Sequence, residues 1–336
     1  MDKHRKWSRL ARIFYAYRRK HRSNSFFPLR MWVELTNVCN LRCRMCPNST
    51  DTTSVRGFMD LRLFNAFVAQ AAGQVNDINL SHRGESLFHP DLPRMIHRAH
   101  RAGISTRLHT NAVCLTPRYS RELIRSRLRL LSFSFDGPTK EEYESLRIGG
   151  DYHRVLDNIY SFLQEKKRLG SRYPYTILQM IDMSDNSDKS AITEFADRFR
   201  GLPLDKFYVK KPHNWAGIIG GQEKIDITEQ FTPCTFPWYS LTMLWDGTVV
   251  PCPQDWYGKL RLGHFPQQSL VQIWNSNAMS ELRNRMGLGD VADLQPCCEC
   301  DRIRRKSHFG IPTENMKAFI GETVAGYNFA RKLIRR

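Results

Sequence analysis

Three cysteines, Cys39, Cys43 and Cys46, stand at the spacing C-x3-C-x2-C in the stretch Val-Glu-Leu-Thr-Asn-Val-Cys-Asn-Leu-Arg-Cys-Arg-Met-Cys-Pro, residues 33–47. Three thiolates on one short loop can hold three corners of a cubane iron–sulfur cluster and leave the fourth iron open, and an open iron is a substrate site. A second group lies far downstream. Cys234 is followed by Gly247 and Cys252, and Pro296-Cys297-Cys298-Glu299-Cys300 comes later. Apolar residues flank Asp246-Gly247, a hairpin signal, so the hairpin brings Cys234 and Cys252 near each other. Two thiols from a hairpin and two from a knuckle can enclose one metal centre and leave it coordinatively full. Cys297 or Cys298 could supply the third ligand. We take Cys297, because with Cys300 it forms the usual C-x2-C chelate. A structural zinc ribbon is the other occupant that this spacing permits.

These side chains need a scaffold, and the pattern supplies one. Strands are expected at 31–36, 77–81, 104–110, 129–135, 175–182 and 205–210, with helices near 61–72, 91–101, 117–126, 153–168 and 188–199. Such alternation predicts an α/β fold with a parallel sheet and right-handed crossovers. Six units make an open, partial (β/α)6 barrel of the TIM type over residues 31–225. The cysteine loop then leaves the C-terminal end of the first strand, where α/β enzymes place chemistry. A glycine-containing loop over 212–231 leads to a small cluster-binding module at 230–303. Residues 1–30 and 304–336 flank these as a basic amphipathic extension and a basic C-terminal helix.

The cysteine loop closely resembles the signature of the radical S-adenosylmethionine (SAM) superfamily, C-x3-C-x2-C after the first strand of a partial barrel. Later strand ends carry further likenesses. Ser81-His82-Arg83-Gly84-Glu85-Ser86 resembles the family's Gly-Gly-Glu-Pro motif, with Arg83 and Ser86 replacing the first Gly and the Pro. His109-Thr110-Asn111-Ala112 resembles its Thr-Asn-Gly, and Ser134-Phe135-Asp136-Gly137, followed by Tyr143 and Arg147, its Ser-hydrophobic-Asp-Gly. The resemblance implies that Gly84 and Glu85 receive the amino group of SAM, and that Asn111 belongs to the same site. It implies further that Ser134 and Arg147 bind its ribose or carboxylate, and that Met45 packs near the adenine. Cys234-x12-Gly247-x4-Cys252 resembles the opening of the family's C-terminal SPASM or twitch module; nothing follows Cys300, which suits the shorter twitch form with one auxiliary cluster. The implied cofactors are a [4Fe–4S] cluster with an open iron, SAM, and one auxiliary iron–sulfur cluster, taken as [4Fe–4S]. The implied chemistry is reductive cleavage of SAM to a 5′-deoxyadenosyl radical, hydrogen abstraction, and a two-electron oxidation. An electron donor such as flavodoxin or ferredoxin would feed it.

Composition narrows the partners. The net charge is +18, yet ten of residues 1–30 are Lys or Arg against one acid, and residues 301–336 add a net +6, leaving +3 for the body. Basicity confined to the ends suits peripheral contact with a membrane surface or an acidic partner, and nucleic acid is not expected. No run approaches the roughly 18 apolar residues of a membrane span, and no apolar signal region follows the basic start, so the chain reads as cytoplasmic. Its cysteines suit metal ligation in a reducing compartment. Cys114 reads as an apolar filler, and His97 and His100 as a solvated helix face. Only about thirty residues precede the barrel, fewer than a folded peptide-recognition domain needs. A small polar molecule such as a sugar or aminocyclitol is therefore the expected substrate, with a peptide as the alternative. A zinc-stabilised RNA-binding or membrane-surface protein is the alternative from another class.

Overall fold

The computed structural model describes residues 3–183, 189–219, 230–308, 310–313 and 315. The chain opens with helix α1 (Lys3–Arg18) and strand β1 (Arg30–Val33), then repeats a helix–strand unit: α2 (Leu61–Ala71) and β2 (Asp77–Asn79), α3 (Leu92–Arg101) and β3 (Ser105–Thr110), α4 (Pro117–Arg125) and β4 (Leu130–Ser134). Helices α5 (Lys140–Leu146) and α6 (Tyr152–Arg168) precede β5 (Tyr175–Ile181), and α7 (Lys189–Asp197) precedes β6 (Lys206–Lys210). All six expected strands form, each within three residues of the boundaries read from the pattern. Short polar caps set the helix starts: Thr116 accepts from Tyr119 N before Pro117, and Asp151 accepts from Arg154 N. Each satisfies an amide that the helix cannot.

The six strands are parallel and lie in the order β6-β5-β4-β3-β2-β1. Alternation sorts their side chains. Met31, Val33, Ile78, Leu108, Leu131, Phe133, Leu178 and Met180 point to the helix layer and are buried in the main core. The opposite face is more polar. At its N-terminal end Asp77 pairs with Arg30 at 2.5 Å and Arg107 at 3.2 Å. Above that layer, Tyr208 donates to Gln179 Oε1 at 2.6 Å. This is a partial barrel, open at β6.

The other side of β1 is occupied by the module. After the loop, α8 (Phe236–Tyr239) leads into β7 (Ser240–Met243), β8 (Thr248–Val250) and β9 (Gly263–His264), followed by α9 (Leu270–Trp274) and α10 (Asn277–Leu288). β7 runs parallel to β1, with Val33 opposite Met243, so barrel and module share one nine-stranded sheet. The expected hairpin is present, and Gly247 sits in its turn at φ +94, a conformation open to glycine. Both ends of the chain depart from simple extensions. α1 docks through Ala16 and Tyr17; the Tyr17 hydroxyl lies 2.8 Å from the carbonyls of Pro233 and Gly310, and the Trp238 indole donates to His21 O. Strand β10 (Ser307–His308) pairs antiparallel with β11 (Ile311–Pro312), where a helix was expected, and Gly310 precedes β11 at φ +71. The remainder of that expected helix, 316–336, and the glycines Gly220 and Gly221 lie outside the described residues.

Candidate functional site

The loop leaving β1 is tied down residue by residue. Arg42 N donates to Ile148 O, Arg44 N to Leu146 O and Cys46 N to Cys43 O, each at 3.0 Å. The Trp215 indole N–H donates to Met45 O at 3.0 Å. Its thiols are thereby presented to one small apolar cluster, in which Leu41, Cys43 and Met45 are buried and Cys39, Cys46, Val113, Leu146 and Ile181 pack around them. Such a lining excludes water. Burial pushes the Cys39 thiol up to about 11 and Cys46 up to about 12, so neither is a thiolate unless a cation ionises it. Bound iron would be that cation, and soft sulfur donors in a dry pocket fit an iron–sulfur cluster. Two N–H groups approach the sulfurs: Arg147 at 3.8 Å from Cys43 Sγ and Asn111 Nδ2 at 4.0 Å from Cys39 Sγ.

The residues expected to touch SAM gather at these strand ends, with roles that the geometry sharpens. Glu85 is buried and accepts from Leu87 N at 3.0 Å, the Thr110 hydroxyl at 2.9 Å and Asn111 N at 2.7 Å. Those three donors come from two strand-end loops, so Glu85 first of all fixes Asn111 relative to the loop after β2. One acceptor position on Oε2 is left for an ammonium. Gly84 is required by its own chain: a Cβ there would lie 2.5 Å from Thr36 O and 2.6 Å from Val38 O. Ser134 ends β4, half-buried on the polar face. Arg147 departs from the expected carboxylate clamp. Its Nε and Nη2 are held by Asp136 at 2.8 and 2.5 Å, and its Nη1 faces Cys43. Asp136 also accepts from Ile181 N at 2.6 Å. The fork is committed to Asp136, which leaves Arg147 acting on the cysteine loop.

Sequence reasoning passed over a buried network beneath the loop. Glu34 is fully buried and accepts from Arg83 Nε and Nη2, both at 2.7 Å, with His82 Nδ1 at 3.3 Å and Trp245 N at 3.2 Å. Arg83 Nη1 reaches Trp256 O and His82 Nε2 reaches Pro253 O. Arg83, which replaces a family glycine, thus ties β1 and the loop after β2 to the module. The one signal for it was that substitution beside an inward-facing Glu.

In the module, Cys234, Cys252, Cys297 and Cys300 line one cavity together with Phe236, Pro237, Pro251, Met286 and Ile303. Cys298 does not line it; its amide turns back to Leu294 O. Burial and the neighbouring thiols raise Cys252 and Cys297 well above the ordinary range, and burial pushes Cys300 up to about 12. Four soft donors around one space fit an iron–sulfur cluster. Among the described residues no three His, Cys, Asp or Glu side chains converge on a single metal ion. Cys114 packs against the core, as a filler does.

Comparison with known proteins agrees. The family model for the radical SAM superfamily matches residues 33–178, and that for the SPASM iron–sulfur cluster-binding domain matches 234–301. A PqqA peptide cyclase of Ruegeria pomeroyi is 26% identical over 311 residues, covering 82% of this chain and 80% of its own. A tungsten-containing aldehyde ferredoxin oxidoreductase cofactor-modifying protein of Pyrococcus furiosus is 22% identical, covering 75% and 82%. Among solved structures, BtrN in complex with AdoMet and 2-DOIA matches with TM-score 0.57 at 17% identity, covering 84% of this chain and 95% of BtrN. Streptococcus suis SuiB bound to precursor peptide SuiA matches with TM-score 0.62 at 15% identity, covering 86% and 72%. These structural likenesses concern the fold. The family matches decide against the zinc-stabilised RNA-binding alternative. The chain belongs to the radical SAM superfamily, as an enzyme that uses a [4Fe–4S] cluster and SAM and carries a C-terminal SPASM iron–sulfur cluster-binding domain.

Proposed function

We propose that this enzyme oxidises a small polar substrate by two electrons, with Cys39, Cys43 and Cys46 holding the SAM-binding cluster and Cys234, Cys252, Cys297 and Cys300 holding one auxiliary cluster. When bound, the two clusters and SAM supply one-electron cleavage of SAM to methionine and a 5′-deoxyadenosyl radical, which takes a hydrogen atom from substrate, and an acceptor for the electron then left on the substrate. The chain's own residues do the positioning. Arg147 directs an N–H at Cys43 while Asp136 holds the guanidinium in place, an arrangement that tunes a cluster through hydrogen bonding to sulfur. Glu85 anchors Asn111 and keeps one acceptor site free. Met45, Val113, Leu146 and Ile181 keep water away from the loop. Gly84 lets the chain pass close beneath the site, and Ser134 offers a hydroxyl at the end of β4.

The observation that carries the oxidative reading is that four module thiols share one cavity. A fully thiolate-ligated cluster has no open iron for substrate, so electron transfer is the role left to it. Of the nine cysteines, Cys114 and Cys298 alone remain, too few for a further four-thiolate site. Iron and sulfide analysis after anaerobic reconstitution tests this: about eight irons per chain are expected, falling to about four when either cysteine set is replaced by Ala. Stoichiometric zinc, or iron unaffected by loss of the module cysteines, would overturn it. A second reading, modification of a peptide, is favoured by the 26% identity to a PqqA peptide cyclase. Saturable binding of a short precursor peptide to the reconstituted protein would select it over a sugar or aminocyclitol.

A further inference from the structure

Lys210 closes β6. Along that strand Phe207 packs outward against Phe195, whereas Tyr208 faces inward to Gln179, with Lys206 Nζ 4.9 Å from its ring. Alternation places Lys210 on the same inner face, at the C-terminal end of the sheet. The fold treats its other interior lysine differently. Lys166 Nζ reaches the Thr176 hydroxyl at 3.0 Å, Pro203 O at 3.0 Å and Asp205 at 2.7 Å. Lys211, next in sequence, pairs with Asp182 at 2.7 Å. Lys210 is half-buried, and among the described residues no hydrogen bond or ion pair holds its Nζ.

Its surroundings do not neutralise it. Asp136 is the one acid in electrostatic reach, and its charge is shared with Arg147, which holds Oδ2 while Ile181 N donates to Oδ1. Arg147 and Arg302 act on Lys210 as like charges. His109 and His213 both feel Lys210, and both are held neutral by burial, His213 with its Nδ1 buried and without a hydrogen-bond partner. Burial lowers Lys210 to about 8, so it is still chiefly an ammonium at neutral pH. A half-buried ammonium that shares one carboxylate with Arg147 and lies near Arg302 sits in an excess of positive charge, which an anionic ligand would offset. Its register partner Ile181 packs on the cysteine-loop cluster, and Arg302, whose charge acts on it, lines the module cavity.

We propose that Lys210, supported by His213, anchors an oxyanion group, a carboxylate or phosphate, on the molecule that is oxidised. The inference rests on the oxidative reading above and narrows it: an acidic or phosphorylated sugar fits, and a cationic aminocyclitol is repelled. SAM carries a carboxylate too, so the test separates the two sources. Equilibrium dialysis of inorganic pyrophosphate against reconstituted, full-length protein saturated with SAM is expected to show one saturable site. Lys210→Met should weaken that site tenfold or more, Lys210→Arg by less than threefold, and the affinity for SAM should stay with the wild type in both. Absence of a saturable site, equal binding by Lys210→Met, equal losses in both variants, or a parallel loss of SAM affinity in Lys210→Met would each overturn the assignment. Formation of 5′-deoxyadenosine by the wild type tests the underlying radical chemistry and is read separately.

Discussion

Replacing Arg83 by Ala removes the cation that Glu34 was buried against. The carboxylate would keep His82 Nδ1 at 3.3 Å, Arg83 N at 3.3 Å and Trp245 N at 3.2 Å, and lose two 2.7 Å charge-assisted bonds. Stranding one member of a buried pair costs about 3–5 kcal/mol. The surviving donors argue for the lower end, about 3 kcal/mol. At about 2 °C per kcal/mol for a chain of this size, melting should fall by roughly 6 °C. The assay is thermal unfolding of reconstituted wild type and Arg83→Ala at one scan rate, beside the double variant Glu34→Gln with Arg83→Met. That double variant removes both charges and should recover more than half of the loss. A single variant that melts within 1 °C of wild type, or a double variant worse than the single, would refute the claim that this pair fastens barrel to module.

Other expectations follow from the same geometry. Burial alone would raise the Glu34 carboxyl, but the Arg83 and His82 bonds outweigh it and hold it at about 2, below its ordinary 4.5. A lowered carboxyl contributes stability above its unfolded value and loses it as pH falls towards the folded one. In Arg83→Ala burial is left to raise that carboxyl, so falling pH neutralises the stranded charge and the melting gap to wild type should narrow as pH falls from about 8 to about 5; a gap that widens over that range would contradict the assignment. Cys297→Ala should lower iron content from about eight towards about four per chain, and Cys298→Ala should leave it unchanged; the reverse would move the ligand by one residue. Asp136→Asn removes the counter-charge of Arg147 beside Cys43, so the cluster potential should rise by on the order of 50 mV in an EPR-monitored redox titration. An unchanged or lower potential would show that Arg147 does not act on that site.

Much of this was legible because it is local. Strand and helix periods in residues 31–210 report which face each side chain buries, and the observed elements follow those periods closely. The spacing of Cys39, Cys43 and Cys46 is likewise a property of one loop, and the Asp246-Gly247 turn of one hairpin. What pattern could not show was pairing between distant segments. β7 joins β1 across more than 200 residues, so an expected appendage became a continuation of the barrel's sheet. Arg147 looked like a free fork because nothing in the sequence says that Asp136, eleven residues earlier, already fills it. That Glu85 also braces the next strand end was hidden for a similar reason: its partners Thr110 and Asn111 lie 25 and 26 residues further on. Lys210 carried no motif at all. Its interest arises from a local excess of positive charge over the single carboxylate of Asp136, which exists only once β6 has been placed.

The central claim is that Cys39, Cys43 and Cys46 form the SAM-cleaving centre. Anaerobic incubation of the reconstituted protein with SAM and dithionite, followed by chromatography for 5′-deoxyadenosine, measures it directly. The wild type should release 5′-deoxyadenosine, and the variant with all three cysteines replaced by Ala should release none while keeping its module iron. Continued formation of 5′-deoxyadenosine by that variant would contradict the account.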